Sequence, residues 1–385
     1  MEKQINKTLL LSSYYSFFVN GMLVLTTGAI MPYLIKDFHM SYMQGGFLLL
    51  VQAIGNLFSG IASGFVSEYL GRKLTLIFGA AAFFIAFGGI TLTYSRGFLS
   101  VLIFISGLGW GTVNNLVNAV LNDETRGKGS IINILHMSYG IGAFIAPAFA
   151  GIFIGAGLGW RFVTALVAFL SFTLVIALLP IHIESAGSYK NERGISFSFL
   201  REIHYYIFMG ILFFYVGSEA GINGWMATYL IDSGITGETG AQGILSLLWM
   251  AVIAGRLLCA YLTSIVKKQK IIMICSICAV LFYFLFLIVK VPAAVLPCIF
   301  FLGVSLSGIY PTTVANASYL TKGSGISSGI LFSFGGIGAS VIPYMVGVFA
   351  QHGGIRAGML VILIASIILA LLAIVNAIYS NKPKK

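Results

Sequence analysis

Runs of about twenty apolar residues, each long enough to cross the hydrocarbon core of a bilayer, recur along almost the whole chain and leave it few other ways to fold. A backbone in lipid must satisfy its own hydrogen bonds, so runs of this length are expected to be helices. Twelve spans can be drawn, at residues 9–35, 44–69, 74–94, 98–121, 130–155, 160–181, 204–231, 243–266, 271–289, 293–319, 327–350 and 356–378. Only 9% of the 385 residues are charged and the mean hydropathy is +0.98, where a soluble protein would carry about a quarter charged residues. The expected fold class is an all-α membrane protein of twelve transmembrane helices.

The conspicuously polar interval, 182–203, holds Glu184, Lys190, Glu192, Arg193, Arg201 and Glu202. It divides the chain into an N-terminal six-helix bundle (1–181), a cytoplasmic linker (182–203) and a C-terminal six-helix bundle (204–385). With the N-terminus inside, sixteen Lys and Arg residues fall on the cytoplasmic side and five outside, leaving Arg256 within a span. The positive-inside bias therefore places both termini in the cytoplasm of a multi-pass cell-membrane protein. Lys3 and Lys7 precede a long apolar run without a small-residue cleavage site, which reads as an uncleaved first span. The net charge of +11 is scattered over short loops with no recognition motif, so nucleic acid is not an expected partner. Cys259, Cys275, Cys278 and Cys298 all lie in apolar segments and read as small packing residues; the CxxC spacing of Cys275 and Cys278 falls mid-helix.

The halves repeat. A shift of 196 residues carries Phe17, Phe18, Gly21, Gly28 and Tyr33-Leu34-Ile35 onto Phe213, Phe214, Gly217, Gly224 and Tyr229-Leu230-Ile231. The same shift carries Gly140-Ile141-Gly142-Ala143, Pro147 and Gly151 onto Gly336-Ile337-Gly338-Ala339, Pro343 and Gly347. Apolar bias alone would match leucines and isoleucines, not glycine and proline at fixed spacing. A parallel repeat of two six-span halves is the architecture of a rocking transporter whose site lies between pseudo-symmetric bundles.

Between the second and third spans, Gly64-Phe-Val-Ser-Glu68-Tyr69-Leu-Gly71-Arg72-Lys73 resembles the loop signature of the major facilitator superfamily, with Glu68 for the usual Asp and Tyr69 for the usual Arg. The resemblance implies the major facilitator fold for essentially the whole chain. It also implies a conformational latch formed by Gly64, Glu68, Gly71, Arg72 and Lys73, in which a helix-end carboxylate and a basic cluster hold neighbouring helices. Within the superfamily the chain is similar to the fucose–galactose–glucose:proton symporter group and its sodium-glucose relatives. That similarity is carried by Tyr215 to Leu230, by Gly107-Leu-Gly109 with Asn114 and Asn118, by Asn133 to Gly142, by Gly255-Arg256, and by Gly308-Ile-Tyr310-Pro311. Acids found in the first and fourth spans of some proton symporters of the group are matched here by Gly28 and Asn114, so those proton sites do not carry over.

Of the eleven acids, Glu219 alone lies deep in a span. Ionised groups there cost about 2.5–3.5 kcal/mol on insertion scales and are kept for ions, protons or substrate. Its repeat partner is Leu23, so the acid breaks the symmetry of the halves. Proton coupling is assigned to Glu219, against the alternative of a structural acid bonded to a neighbour such as Arg256. Arg256, thirteen residues into its span, either neutralises Glu219 or meets the solute. The substrate set expected is Asn20, Gln52, Asn114, Asn118, His136, Asn223, Trp225, Trp249, Arg256 and Tyr310. Amides offer both donors and acceptors to a polyhydroxyl ligand, and Trp225 and Trp249 offer flat apolar faces to a ring. Each amide alone could equally be interhelical glue, and either Trp could be packing or belt. Trp160 reads as interface belt.

The function expected is secondary active transport by alternating access: proton symport of a small hydroxylated solute, a sugar, with sodium as the other candidate ion. The chain is expected to act as a monomer. The alternative is a proton-coupled drug or metabolite exporter, suggested by Ala146-Pro147-Ala148-Phe149-Ala150-Gly151, although a similar pattern in the eleventh span makes it look like repeat architecture. A sensor would need a further soluble domain. An enzyme would need a catalytic pair or metal-ligand spacing that the spans lack, so no cofactor or metal is expected.

Overall fold

A computed structural model describes residues 6–125, 129–183, 198–321 and 325–379, and all regular structure among them is helical. The helices are α1 (Lys7–Asp37), α2 (Tyr42–Leu70), α3 (Arg72–Leu92), α4 (Arg96–Glu124), α5 (Gly129–Gly155), α6 (Gly159–Leu178), α7 (Ile203–Asp232), α8 (Glu238–Ile265), α9 (Lys268–Ile288), α10 (Pro292–Ser307), α11 (Ile309–Thr321) and α12 (Gly325–Tyr379). A short 3-10 turn, Ser198–Arg201, precedes α7. Among the described residues, eleven helical stretches are long and apolar enough to cross a membrane. The stretch 184–197, which holds most of the expected linker, lies outside the described residues, as do Lys3, Arg126, Lys128, Lys322, Lys382, Lys384 and Lys385.

Two stretches carry breaks. α12 would run about 80 Å if straight, but it is two helices joined at Gly354, whose φ of 75° and ψ of 168° suit glycine alone. The break falls between the spans expected at 327–350 and 356–378. The span expected as one helix at 293–319 is instead interrupted at Gly308, between α10 and α11. Pro311 sits in the first turn of α11, where its missing N–H costs no helical bond. The helix starts follow local chemistry. Asn6 caps α1 by accepting from the Thr8 N–H at 2.9 Å. Ser41 and Gln44 form a reciprocal capping box before α2, at 2.9 and 3.2 Å.

The described residues fall into two compact units. The first comprises Met1–Met40, Val51–Tyr189 and Glu238–Ser246; the second comprises Ser41–Leu50, Lys190–Gly237 and Leu247–Lys385. Lipid tails give apolar helices no reason to leave lipid, so helices associate where backbones approach closely. In the first unit α1 crosses α5 with reciprocal glycines: a Cβ on Gly21 would strike the Tyr139 carbonyl, and one on Gly142 the Phe18 carbonyl. In the second unit α7 crosses the first arm of α12 in the same way, with Gly217 against Gly338 and Gly338 against the Phe213 carbonyl. These are the positions that the 196-residue shift superposes. The repeated glycines are repeated crossings.

Each unit also takes in one helix start from the other repeat. In the first, the start of α8 lies against α1 and α5: Gln242 Nε2 donates to the Ala29 carbonyl at 2.7 Å, and Gly151 gives room to the Gln242 side chain. In the second, the start of α2 lies against α7 and α12: Tyr42 donates to Asp232 Oδ2 at 2.7 Å, and Gly347 gives room to Gly46 and the Tyr42 carbonyl. Gly151 and Gly347 correspond under the shift, as do Gln242 and Gly46. The Ala146–Gly151 pattern thus serves a contact that both repeats make.

Candidate functional site

α7 presents a row of polar side chains at helical spacing, Tyr215, Glu219 and Asn223, four residues apart and so on one face. The Tyr215 hydroxyl donates to Glu219 Oε1 at 3.0 Å. Arg256, on the facing stretch of α8, acts electrostatically on the Glu219 carboxylate. Both charged side chains remain partly accessible. Tyr310 of α11 closes the group, its ring 6.1 Å from that of Tyr215 and tilted by 38°. One turn along α7, Asn223 Oδ1 accepts from the buried Trp249 indole N–H at 3.1 Å. The second unit therefore assembles Glu219, Arg256 and Tyr310 around Tyr215, with Asn223 and Trp249 paired one turn beyond Glu219; all but Tyr215 were expected. A tyrosine inside an apolar run reads as packing; its one distinguishing signal is its place four residues before the acid.

This arrangement has a definite chemical capacity. A carboxylate that accepts a phenol hydrogen and lies within the field of a guanidinium is compensated while ionised. Protonation removes the attraction for Arg256 and turns one carboxylate oxygen into a donor. One proton therefore changes the bonding open to three side chains.

Trp225 is not part of this group. It is fully buried, its indole N–H donates to the Pro343 carbonyl at 2.9 Å, and its ring meets Tyr42 edge-on at 6.2 Å. A free ring face for a solute is not available there, because the side chain is consumed in packing α7 against α12 and the start of α2. Trp160 likewise departs from a belt role: it is 5% exposed and its indole donates to Asp37 Oδ2 at 2.7 Å, tying α6 to the end of α1.

The remaining expected solute contacts belong to the first unit. Gln52 spends both amide hydrogens on Thr27 Oγ1 (2.9 Å) and Ser106 Oγ (3.1 Å), knotting α1, α2 and α4. Asn118 donates to the Asn114 carbonyl one turn back on α4. Asn115, overlooked beside Asn114, bridges to the Gly60 carbonyl and Ser63 Oγ of α2 at 2.9 and 3.0 Å. His136 is exposed, with its ring edge-on to Phe17 at 5.5 Å. Asn20 differs from these. Its side chain is fully buried in α1, and neither amide atom has a hydrogen-bond partner among the described residues. An amide left so costs about 1–3 kcal/mol.

The expected latch divides in two. Arg72 pairs with Asp123 at 2.7 Å, and Lys73 Nζ donates to the Leu179 carbonyl at the end of α6 at 2.6 Å, a cation on a helix C-terminus. Gly71, with φ of 81°, turns the chain from α2 into α3. Glu68 is exposed, and a Cβ on Gly64 would meet nothing within 4 Å. The basic end of the motif thus fastens α3 to α4 and α6, with Asp123 as its carboxylate. Among the described residues no cluster of three His, Cys, Asp or Glu side chains could hold a metal ion.

A sequence profile described as Major Facilitator Superfamily matches residues 14–343. A yeast protein from Saccharomyces cerevisiae, "Bypass of stop codon protein 6", is 24% identical over 383 residues, covering 88% of this chain and 76% of its own. The glucose/mannose transporter GlcP of Bacillus subtilis is 20% identical over 352 residues, covering 88% and 86%. Among solved structures, the nucleoside transporter NupG superposes with a TM-score of 0.73 at 16% identity, covering 99% of this chain and 100% of that one. A D-xylose–proton symporter superposes with a TM-score of 0.74 at 14% identity, covering 97% of each.

Proposed function

Starting from the fact that this chain belongs to the Major Facilitator Superfamily, a family of transporters rather than enzymes, we propose that it takes up a small hydroxylated solute, a sugar, by proton symport through Glu219. The observation that carries the coupling is the partly accessible Glu219, held by the Tyr215 hydroxyl and lying in the field of Arg256. Similarity to a glucose/mannose transporter, and a fold like that of a D-xylose–proton symporter, favour the solute class.

Counting the two arms of α12 separately gives twelve crossings, six in each repeat, with both termini cytoplasmic in the cell membrane. The repeats 1–181 and 204–385 alternate access as a monomer, and the Arg72–Asp123 pair serves as the latch. Binding begins with Glu219 ionised and compensated. A proton arriving from the acidic side neutralises it, releases Arg256 from its pull, and lets the guanidinium turn to solute hydroxyls beside Asn223 and Tyr310. Asn20, Asn114, Asn118 and His136 offer the donors and acceptors of the first repeat, and Gln52 holds α1, α2 and α4 in register.

The test is uptake into proteoliposomes across a panel of hexoses and pentoses, at two external pH values, with and without sodium. Accumulation driven by external acid without sodium is expected. Accumulation that needs sodium and ignores pH would reject the proton as the coupling ion.

A further inference from the structure

Two of the four cysteines lie near one another in the second unit, outside the charged cluster. Cys259 of α8 is buried, while Cys275, one face along α9, keeps part of its surface accessible. Both sulfurs converge on Gly308, the break between α10 and α11. A Cβ placed on that glycine would overlap Cys259 Sγ and meet Cys275 Sγ at 3.4 Å. Both sulfurs thus lie against the same glycine, and Ser307 Oγ lies 3.9 Å from Cys259 Sγ. Cys298 is turned away, its Sγ on the Ala294 carbonyl at 3.3 Å. Packing alone asks for small apolar side chains here; it does not ask that two thiols from different helices face each other across a residue that lacks one.

We propose that Cys259 and Cys275 are a modification site: a dithiol that closes reversibly to a disulfide and ties α8 to α9 at the α10–α11 break. Sulfurs that meet at one glycine need only a local closure of α8 on α9 to reach the S–S length of about 2.0 Å. The oxidant is a peroxide. The more accessible Cys275 sulfur attacks one peroxide oxygen, the O–O bond breaks, and the departing hydroxide takes the thiol proton as water, leaving a sulfenic acid. The Cys259 sulfur then attacks the Cys275 sulfur. The S–O bond breaks, and the hydroxyl leaves with the Cys259 proton as a second water. Two electrons pass from the sulfurs to the peroxide. Arg256 lies one turn before Cys259 on α8, so the bond holds the stretch that carries the charged cluster.

The full-length protein in liposomes is treated with hydrogen peroxide, denatured, labelled with a maleimide and digested for peptide mapping. Of the four thiols, the treated protein should lose two, recover both on reduction with dithiothreitol, and yield one linked peptide pair joining Cys259 to Cys275. Cys275→Ser should lose none to a disulfide. Four labelled thiols after treatment, or a link between any other pair, would overturn the proposal. The mapping uses the unaltered chain, so a folding defect in the variant leaves the result decisive.

Discussion

Asn20 and Trp225 are both fully buried and answer opposite questions about polar groups out of water. Trp225 has found its acceptor, the Pro343 carbonyl, so Trp225→Phe should lose that hydrogen bond and lower stability by about 0.5–1.5 kcal/mol. A thermal unfolding scan in detergent checks this, with solute affinity expected to stay unchanged. Asn20 has no partner among the described residues. Asn20→Leu should therefore hold or raise the unfolding temperature while reducing uptake about tenfold, the loss of one hydroxyl contact worth about 1.4 kcal/mol. An uptake assay beside the unfolding scan separates the two effects. At this scale Glu219 was legible because an acid in an apolar run has no cheap structural use. Tyr215, Asn115 and Asp123 were not, since a phenol suits packing, adjacent asparagines give no cue to their facing, and a helix-end carboxylate looks solvated until Arg72 is seen beside it. Trp225 misled for the reverse reason: composition gives the ring but not which neighbours enclose it.

Among the helices, glycine is informative only where a second backbone is close. Gly142→Ala must push on the Phe18 carbonyl, and overpacking of that kind costs about 1–3 kcal/mol. Gly60→Ala meets nothing within 4 Å and should stabilise α2 by up to about 1 kcal/mol through helix propensity. Unfolding temperatures of the pair, measured side by side, should move in opposite directions; equal losses would contradict the assigned crossing. The length and polarity of the spans placed most helices to within a few residues. The interruption at Gly308 was missed although Gly308 and Pro311 both signal it, because mean hydropathy runs on unbroken through the kink. The turn at Gly354 was easier: a polar gap precedes it and two full spans flank it.

For the whole molecule, the 196-residue repeat was readable because duplicated crossings keep their glycines and prolines even where other side chains drift. That α2 and α8 each begin in the unit built mainly from the other repeat was not readable, since a repeat period records which positions match and not which partner they touch. Coupling belongs to this scale too, because a proton at Glu219 matters only if it governs movement of the entire carrier. The decisive measurement compares Glu219→Gln with the unaltered protein in proteoliposomes, reading both solute accumulation under an inward proton gradient and solute exchange at equal pH. Glutamine keeps the size and the hydrogen bonding but carries no titratable charge. Exchange that persists while gradient-driven accumulation falls to the level of empty liposomes is the predicted result. Full accumulation by Glu219→Gln would contradict the account.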